Sequence, residues 1–480
     1  MQNSKLSIVF DEWTSCASKR YVNIVLLGDN KFWNLGLARI IGSATADHCL
    51  NLVKTHLLLF DVHFNNDIVC IQTDGCSVMT CIGDSIKPII QQLCFAHAIQ
   101  FAVLDVLYRA QPASVNPNYQ DVPRDELQDD ESDEEGDSTI VFEQDESILL
   151  NTQYLYLVKK VRSIVALFRK SPLKNDTLQK YSKTQFGKEF KLIIDCKTRW
   201  NSLCFMLDRF FLLKNCILKA KIDLGLKLDL NEADFRQIKQ PFDVLKPVQT
   251  TVEMLCRRDT DLIVADVVLG TLLDHLDAQQ SDVSHLLYLS LITEIKKRRT
   301  FATDLLKYLR SGNMASPIHK HLDISILVAR QILKMLICVV KRVEPDELSI
   351  AIDEDEDFEE ENESPSKKSK TSDDFLSLVK KAVNECKEDK PTEREVANGL
   401  VDELKTEIQL FETSGWKQKG TYLNFAYSSL RSITPTSVES ERAFSSAGYL
   451  CNKIRSRLSD KNLSTLLFLR SYFQIKNEKT

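Results

Sequence analysis

From Asp121 to Ser147 the chain carries 13 acidic residues against a single base, Arg124. From Asp353 to Asp374 it carries 11 acids against Lys367, Lys368 and Lys370. Runs this charged and this poor in apolar side chains bury too little surface to offset the entropy of ordering, so each reads as a disordered loop. Packed structure must then come from the residues before, between and after them. Net charges of −12 and −8 for the two runs, set against −6 for all 480 residues, leave +14 on the remainder. The whole-chain figure argues against a nucleic-acid partner; the divided figure does not.

The remainder changes character along its length. Leu6–Phe10, Tyr21–Leu27 and Phe32–Ile41 are short runs rich in aliphatic and aromatic residues, hence strands, and Ile68–Gln72 is a fourth. A helical stretch, Ala46–Leu59, separates the third strand from the fourth, which predicts a mixed sheet. Leu93–Leu107 has the length and apolar density of a buried helix. Beyond the first acidic run the pattern is helical, as in Phe205–Ala220, Asp261–His275 and Ser284–Lys297, and it is helical again from Phe375 through Ile408. The scarcity of Gly (14) and Pro (12) fits long helices and excludes turn-dense all-β folds.

The segments are therefore 1–110 as α/β, 111–147 acidic, 148–204 basic and completing the core, 205–345 an α-helical insertion, 346–374 an acidic linker and 375–480 a helical C-terminal region. Thirteen scattered cysteines without a Cys-x2-Cys pair point to a reducing compartment rather than a disulfide framework. Ile324–Val343 is broken by Arg330, Lys334, Lys341 and Arg342, so it does not read as a membrane span, and no signal-peptide pattern is present.

Three acids stand out. Asp11 follows the first strand run and Asp74 the fourth, in Gln72-Thr73-Asp74-Gly75-Cys76-Ser77. Strand ends display functional groups in α/β folds, and paired carboxylates repel unless a cation joins them. The plain alternative is that each acid caps a turn. Near the C-terminus, Thr436 and Glu439 make a capping box that starts a helix, placing Glu441 in its first turns on the face of Phe444 and Gly448. Cys94 and His97, three apart on a helical pattern, share a face without a second ligand pair. His319-Lys320-His321 reads as solvent-exposed. From Lys159 to Arg199 there are 12 bases against three acids, with Phe168, Tyr181 and Phe186 interleaved, a pattern suited to a phosphate backbone. Lys296-Lys297-Arg298-Arg299 and Lys367-Lys368-Ser369-Lys370 are candidate nuclear-import clusters.

The segment Ser437–Gly448, continued by Lys453-Ile454-Arg455-Ser456-Arg457-Leu458 and Asn462–Arg470, resembles the C-terminal dimerisation region of hAT-superfamily transposases. Asp11-Glu12-Trp13-Thr14-Ser15, Thr73-Asp74-Gly75, Cys94 to Gln100 and Thr198-Arg199-Trp200-Asn201-Ser202 agree with that family in order. The resemblance implies an RNase-H-like mixed sheet interrupted by a large all-α insertion, followed by a helical dimerisation region. It implies that Asp11, Asp74 and Glu441 bind two Mg²⁺ or Mn²⁺ ions for phosphodiester chemistry. It implies that Trp200 stacks on a flipped-out base, that Arg199 holds a phosphate, and that Cys94 and His97 shape the site.

DNA is then one expected partner, through Trp200, Arg199, Lys159, Lys160, Arg162, Arg169 and Lys170. A second copy of the chain is the other, through Phe444, Leu458, Leu463, Leu466, Leu467 and Leu469; no membrane partner is expected. Complete members carry a BED-type zinc finger ahead of the first acid. Here Met1 stands ten residues before Asp11 and no finger pattern occurs, so the expectation is a protein lacking that module. Two readings follow: a nuclear, dimerising, DNA-binding protein that retains two-metal cleavage, and a domesticated, non-catalytic dimerising protein acting through protein contacts.

Overall fold

The computed structural model describes residues 6–15, 18–28, 31–86, 90–107, 152–195, 200–228, 231–279, 281–323, 329–341, 393–451 and 458–477. Both acidic runs lie outside the described residues. Five strands, Leu6–Thr14 (β1), Arg20–Gly28 (β2), Lys31–Arg39 (β3), Ile68–Thr73 (β4) and Ile90–Leu93 (β5), form one sheet in the order β3-β2-β1-β4-β5. The first three are antiparallel; β4 and β5 run parallel to β1. In the N-terminal part the helices are Ala46–Leu58 (α1), Phe64–Asp67 (α2), Ser77–Ser85 (α3) and Phe95–Leu107 (α4). The expected mixed sheet is present. The stretch Leu93–Leu107 divides into the end of β5 and α4, because Ile90-Gln91-Gln92-Leu93 is too polar and too short to announce itself as a strand.

Helices cover both faces of the sheet. Leu6, Ile8 and Phe10 of β1, with Val22, Ile24 and Leu26 of β2, pack beneath α1 and α3 through Leu50, Val53, Leu57, Met79 and Ile82. The central strand is consequently apolar almost without alternation, as a strand buried on both faces must be.

The helices after the first acidic run are Thr152–Lys170 (α5), Pro172–Phe186 (α6), Trp200–Leu212 (α7), Lys214–Asp223 (α8), Glu232–Leu255 (α9), Leu262–Ala278 (α10), Asp282–Arg298 (α11), Phe301–Ser311 (α12), His319–Leu322 (α13), Ala329–Lys341 (α14), Glu393–Thr413 (α15), Thr421–Arg431 (α16), Val438–Leu450 (α17) and Asp460–Asn477 (α18). Helices α17 and α18 cover the second sheet face: Leu463 and Leu467 pack with Ala447 and Cys451 against Tyr21 and Leu37.

Two compact units result. One comprises residues 1–306, 315–326 and 429–480; the other comprises 307–314 and 327–428. In the second, α15 packs against α14, and Tyr308, Phe411 and Trp416 meet edge to face. Glu407 there accepts hydrogen bonds from the first amides of α16, those of Tyr422 and Leu423.

Within the first unit a buried ion network fastens the helical insertion. Arg299 donates to Asp266 at 2.9 Å and forks onto Asp304 at 2.8 and 2.5 Å, while His319 Nε2 lies 3.0 Å from Asp304. Both Arg298 and Arg299 are buried, so the tetrad beginning at Lys296 is not the exposed basic cluster expected of an import signal. The His319-Lys320-His321 segment is corrected too. His319 is buried, the His321 ring is enclosed between Asp274 and Tyr288, and only Lys320 is exposed. Helix α13 is one turn seated on both α10 and α11, which leaves neither histidine a solvent side.

Helix α18 docks on β3 at a single backbone irregularity. The β2–β3 register shifts after Ile24, and Gly36 adopts φ +98°, a conformation that L side chains rarely take. Asn23, fully buried, donates to Asn34 Oδ1 and to Gly36 O, and so fixes the kink. Ser464 Oγ of α18 accepts from the Leu37 amide at 2.9 Å. A Cβ at residue 36 would meet the Ser464 hydroxyl and, at 3.0 Å, its carbonyl oxygen. The Gly36→Ala variant is therefore expected to lose about 2–3 kcal/mol, from the left-handed backbone and the broken Ser464 bond. A melting temperature equal to wild type, with unchanged amide-exchange protection in α18, would contradict this.

Candidate functional site

The parallel pairing of β1 with β4 ends at Val9 opposite Gln72. Two residues beyond that pair stand Asp11, still within β1, and Asp74, the first residue after β4. Asp11 is not at the end of its strand: β1 continues to Thr14, and Asp11 pairs with Asn23 across the antiparallel side. What ends at this level is the parallel ladder. Asp74 does lie at the end of β4. There its Oδ1 accepts from the Cys76 amide at 3.0 Å, with Gly75 at φ +92°, so the turn-capping role and the exposure at the strand end coexist.

The C-terminal segment reaches this level across the interior strands β1 and β4. Ser7 and Ser432 share a hydrogen bond of 2.6 Å, and Thr434 donates to Gln72 Oε1 at 2.6 Å. Pro435 O receives the first amide of α4, from Phe95, and the Ser437 amide donates to Cys94 Sγ at 3.3 Å. These bonds deliver the N-terminus of α17 beside β4 and α4, which is how Glu441 joins Asp74 from a point 441 − 74 = 367 residues later. The expected capping box is absent. Ser437, not Thr436, is the N-cap residue, and its side chain makes no capping bond. Glu439 instead pairs with Arg442 and with Arg258, which comes from the loop between α9 and α10. Arg442 also donates to Cys256 O at 2.8 Å, so the helical insertion grips the turn that carries Glu441.

The electrostatics tie these groups together. Burial raises the Asp11 carboxyl well above its ordinary value; Asp74 and, more weakly, Glu441 raise it further, while His97 and the Glu12 amide oppose them. Burial disfavours a charge on His97, but Cys94, Glu441 and Asp74 outweigh that and lift the imidazole to about 10. Burial pushes the Cys94 thiol up, yet His97 brings it net below its usual value. Cys94 and His97 are thus an electrostatically coupled pair beside the acids, and His97 Nδ1 is buried without a hydrogen-bond partner. The family resemblance implied a site-shaping role for this pair. Its coupling to the acids has no mark in the sequence, because three-residue spacing does not reveal burial.

Among the described residues, no group of three or more His, Cys, Asp or Glu side chains is gathered where it could hold a metal ion. Asp11, Asp74 and Glu441 share an electrostatic neighbourhood without forming a ready cage. The chemistry of the set nonetheless fits a cation: one carboxyl is driven toward protonation by its neighbours, a strain that divalent charge would relieve.

Of the expected DNA contacts, Arg199 lies outside the described residues, as does the side chain of Trp200, which opens α7. Lys160 is paired with Asp234 at 3.1 Å, and Arg162 forks onto the buried carboxylate of Asp195 at 2.8 and 2.5 Å. These two bases serve the packing of α5 rather than an open surface. Lys159, Arg169 and Lys170 are exposed.

The expected dimer contacts divide similarly. Leu463 and Leu467 are buried within the chain, and Phe444 stacks on Trp13 at 6.0 Å. Leu458 is partly buried; Leu466 and Leu469 remain exposed. Sequence reasoning missed Gln72, Thr434, Arg258 and Asp460, none of which carries a local signal. Asp460 accepts from Lys19 and from Tyr21 and so anchors the start of α18.

Residues 422–473, from α16 through most of α18, match the hAT family C-terminal dimerisation region. No curated protein matches the chain. No helix among the described residues is long and apolar enough to cross a membrane.

Proposed function

We propose that this hAT-transposase-like chain is a dimerising nuclear protein that binds DNA and cleaves phosphodiesters with two Mg²⁺ or Mn²⁺ ions held by Asp11, Asp74 and Glu441. The observation that supports the reading is the electrostatic coupling of Asp11 on β1 to Asp74 and Glu441 near the end of the parallel ladder. The order β3-β2-β1-β4-β5, with three antiparallel strands and then two parallel ones, supports an RNase-H-like core.

Bound ions would supply activation of the attacking oxygen and neutralisation of the leaving one. The chain's own residues prepare the place. Thr434, Pro435 and Ser437 hold the start of α17 against β4 and α4. Arg258 and Arg442 fix Glu439, so Glu441 projects from a restrained first turn. His97 and Cys94 stand beside the carboxylates, and Cys94 together with the acids favours a proton on His97. Because this pair faces the acids without any metal, the non-catalytic reading also has support, and the assay decides between them. Purified full chain with plasmid DNA should nick only with Mg²⁺ or Mn²⁺ present; metal-independent nicking, or none under either ion, would overturn the catalytic reading.

DNA binding has its own test. Replacing exposed Lys159, Arg169 and Lys170 together with Ala should weaken binding to any duplex and flatten the log–log salt dependence by about 2.7, or 0.9 for each phosphate no longer neutralised. An unchanged slope would remove α5 from the interface.

A further inference from the structure

Helix α18 is apolar on two separate sides. Leu463 and Leu467 point into the sheet. At 100° per residue, Leu466, Leu469 and Phe473 cluster on a second side, at i, i+3 and i+7, and they are 39%, 40% and 52% exposed. Tyr472, 53% exposed, flanks them. A helix that is apolar on more than its inner face belongs in a buried setting, and a seam with this spacing is what packs one helix against another. The inner stripe is already occupied by β3, so the outer stripe is the part of the matched dimerisation region left to meet something else.

We infer that the outer stripe of α18, Leu466, Leu469 and Phe473, is the contact surface for a second copy of this chain. The inference rests on the dimerisation reading and names its surface. In a twofold pairing the same stripe serves both partners, so α18 crosses its symmetry mate near Leu469. The inner residues Leu463 and Leu467, expected from sequence as dimer contacts, hold the helix to its own sheet instead. These side chains are already about half covered by their own chain, so the area left for them to bury falls well below the roughly 800 Å² per partner of a standard interface, and a dissociation constant in the micromolar range is expected.

The test is sedimentation of the full-length protein from about 0.5 to 100 μM. Wild type should dimerise, and Leu469→Glu should weaken dimerisation at least tenfold while keeping the wild-type melting temperature. Leu466→Glu serves as a second variant should the first prove unstable. Leu59→Glu, which alters an exposed leucine at the end of α1, should leave the dimer intact. A wild-type dimer that persists in both α18 variants overturns this surface and leaves the dimerisation reading standing. A wild type monomeric at every concentration overturns both.

Discussion

Replacing Asp11 with Asn is expected to reduce metal-dependent DNA nicking by roughly 10³-fold, the several kcal/mol that metal charge contributes at such a centre. The same change should raise stability. Asp11 is buried in the sheet, beside Asp74 and within reach of Glu441, so its carboxylate is desolvated and repelled at once. Asn keeps the shape and can still accept from the Glu12 amide, a bond of 2.7 Å in the native chain. The expected gain is about 1–2 kcal/mol at neutral pH without metal, in the manner of sites that trade stability for function.

The sign with pH is fixed. Asp11 binds its proton more tightly in the folded chain than at the ordinary value of 3.8. Its favourable contribution is present below that value and is lost as pH rises through the raised native value. Wild type and variant should therefore melt alike in acid and separate above it. Divalent ions should stabilise wild type and leave the variant unmoved. A variant that nicks at the wild-type rate, or melts below wild type at neutral pH without metal, would overturn the role assigned to Asp11.

The second large effect lies in the helical insertion. Arg299→Met is expected to cost about 3–5 kcal/mol, because it leaves the buried Asp266 and Asp304 carboxylates without their guanidinium. Burial pushes Asp304 up, yet Arg299 and His319 together hold it below its usual value. Its contribution is thus present above about 3.8 and is lost as pH falls through the depressed native value. The difference between variant and wild type should be greatest near neutrality and narrow in acid. Asp304→Asn added to Arg299→Met should recover part of the loss, since it removes a buried charge left with His319 alone. A single variant as stable as wild type at pH 7 would show that the network carries no net stability.

This network also bears on the candidate site. Gln92, buried in β5, donates to Arg298 O at 3.1 Å and accepts from Thr300 at 3.2 Å. The loop joining α11 to α12 is therefore hydrogen-bonded to the strand that leads into Cys94. Loosening Arg299 reaches the acids through this link and through the packing of α11 on α4, where Arg298 lies over the Phe101 ring, so a loss of nicking that tracks the loss of folded protein is the expected pattern.

Periodicity alone finds β1 to β4, α1 and α4, because apolar runs of strand length and a long apolar helix leave a repeating mark. It misses β5 and α3, which are short and polar enough to look like loop. Asp11 and Asp74 are legible as acids after apolar runs. The capping box at Thr436 does not form, because a local rule knows nothing of Gln72 and Cys94, which engage the neighbouring Thr434 and Ser437. Exposure is misjudged at His319 and His321 for the same reason: a one-turn helix between two others has no local signature of burial. Lys160 and Arg162 count toward a basic surface only while their pairing with Asp234 and Asp195 goes unseen, since a charge count does not show which side chains meet.

The family resemblance singles out the three acids together; what the sequence by itself determined is the order of elements and the separation of the chain by two acidic runs. Each follows from composition or from a period of two or 3.6 residues. Only the tertiary structure decided that the acids share one electrostatic neighbourhood with Cys94 and His97, and that α18 commits one apolar stripe to its own sheet while keeping another exposed. Those facts depend on which residues hundreds of positions apart come within a few ångströms. Burial and partnership, unlike periodicity, have no expression in a single stretch of chain.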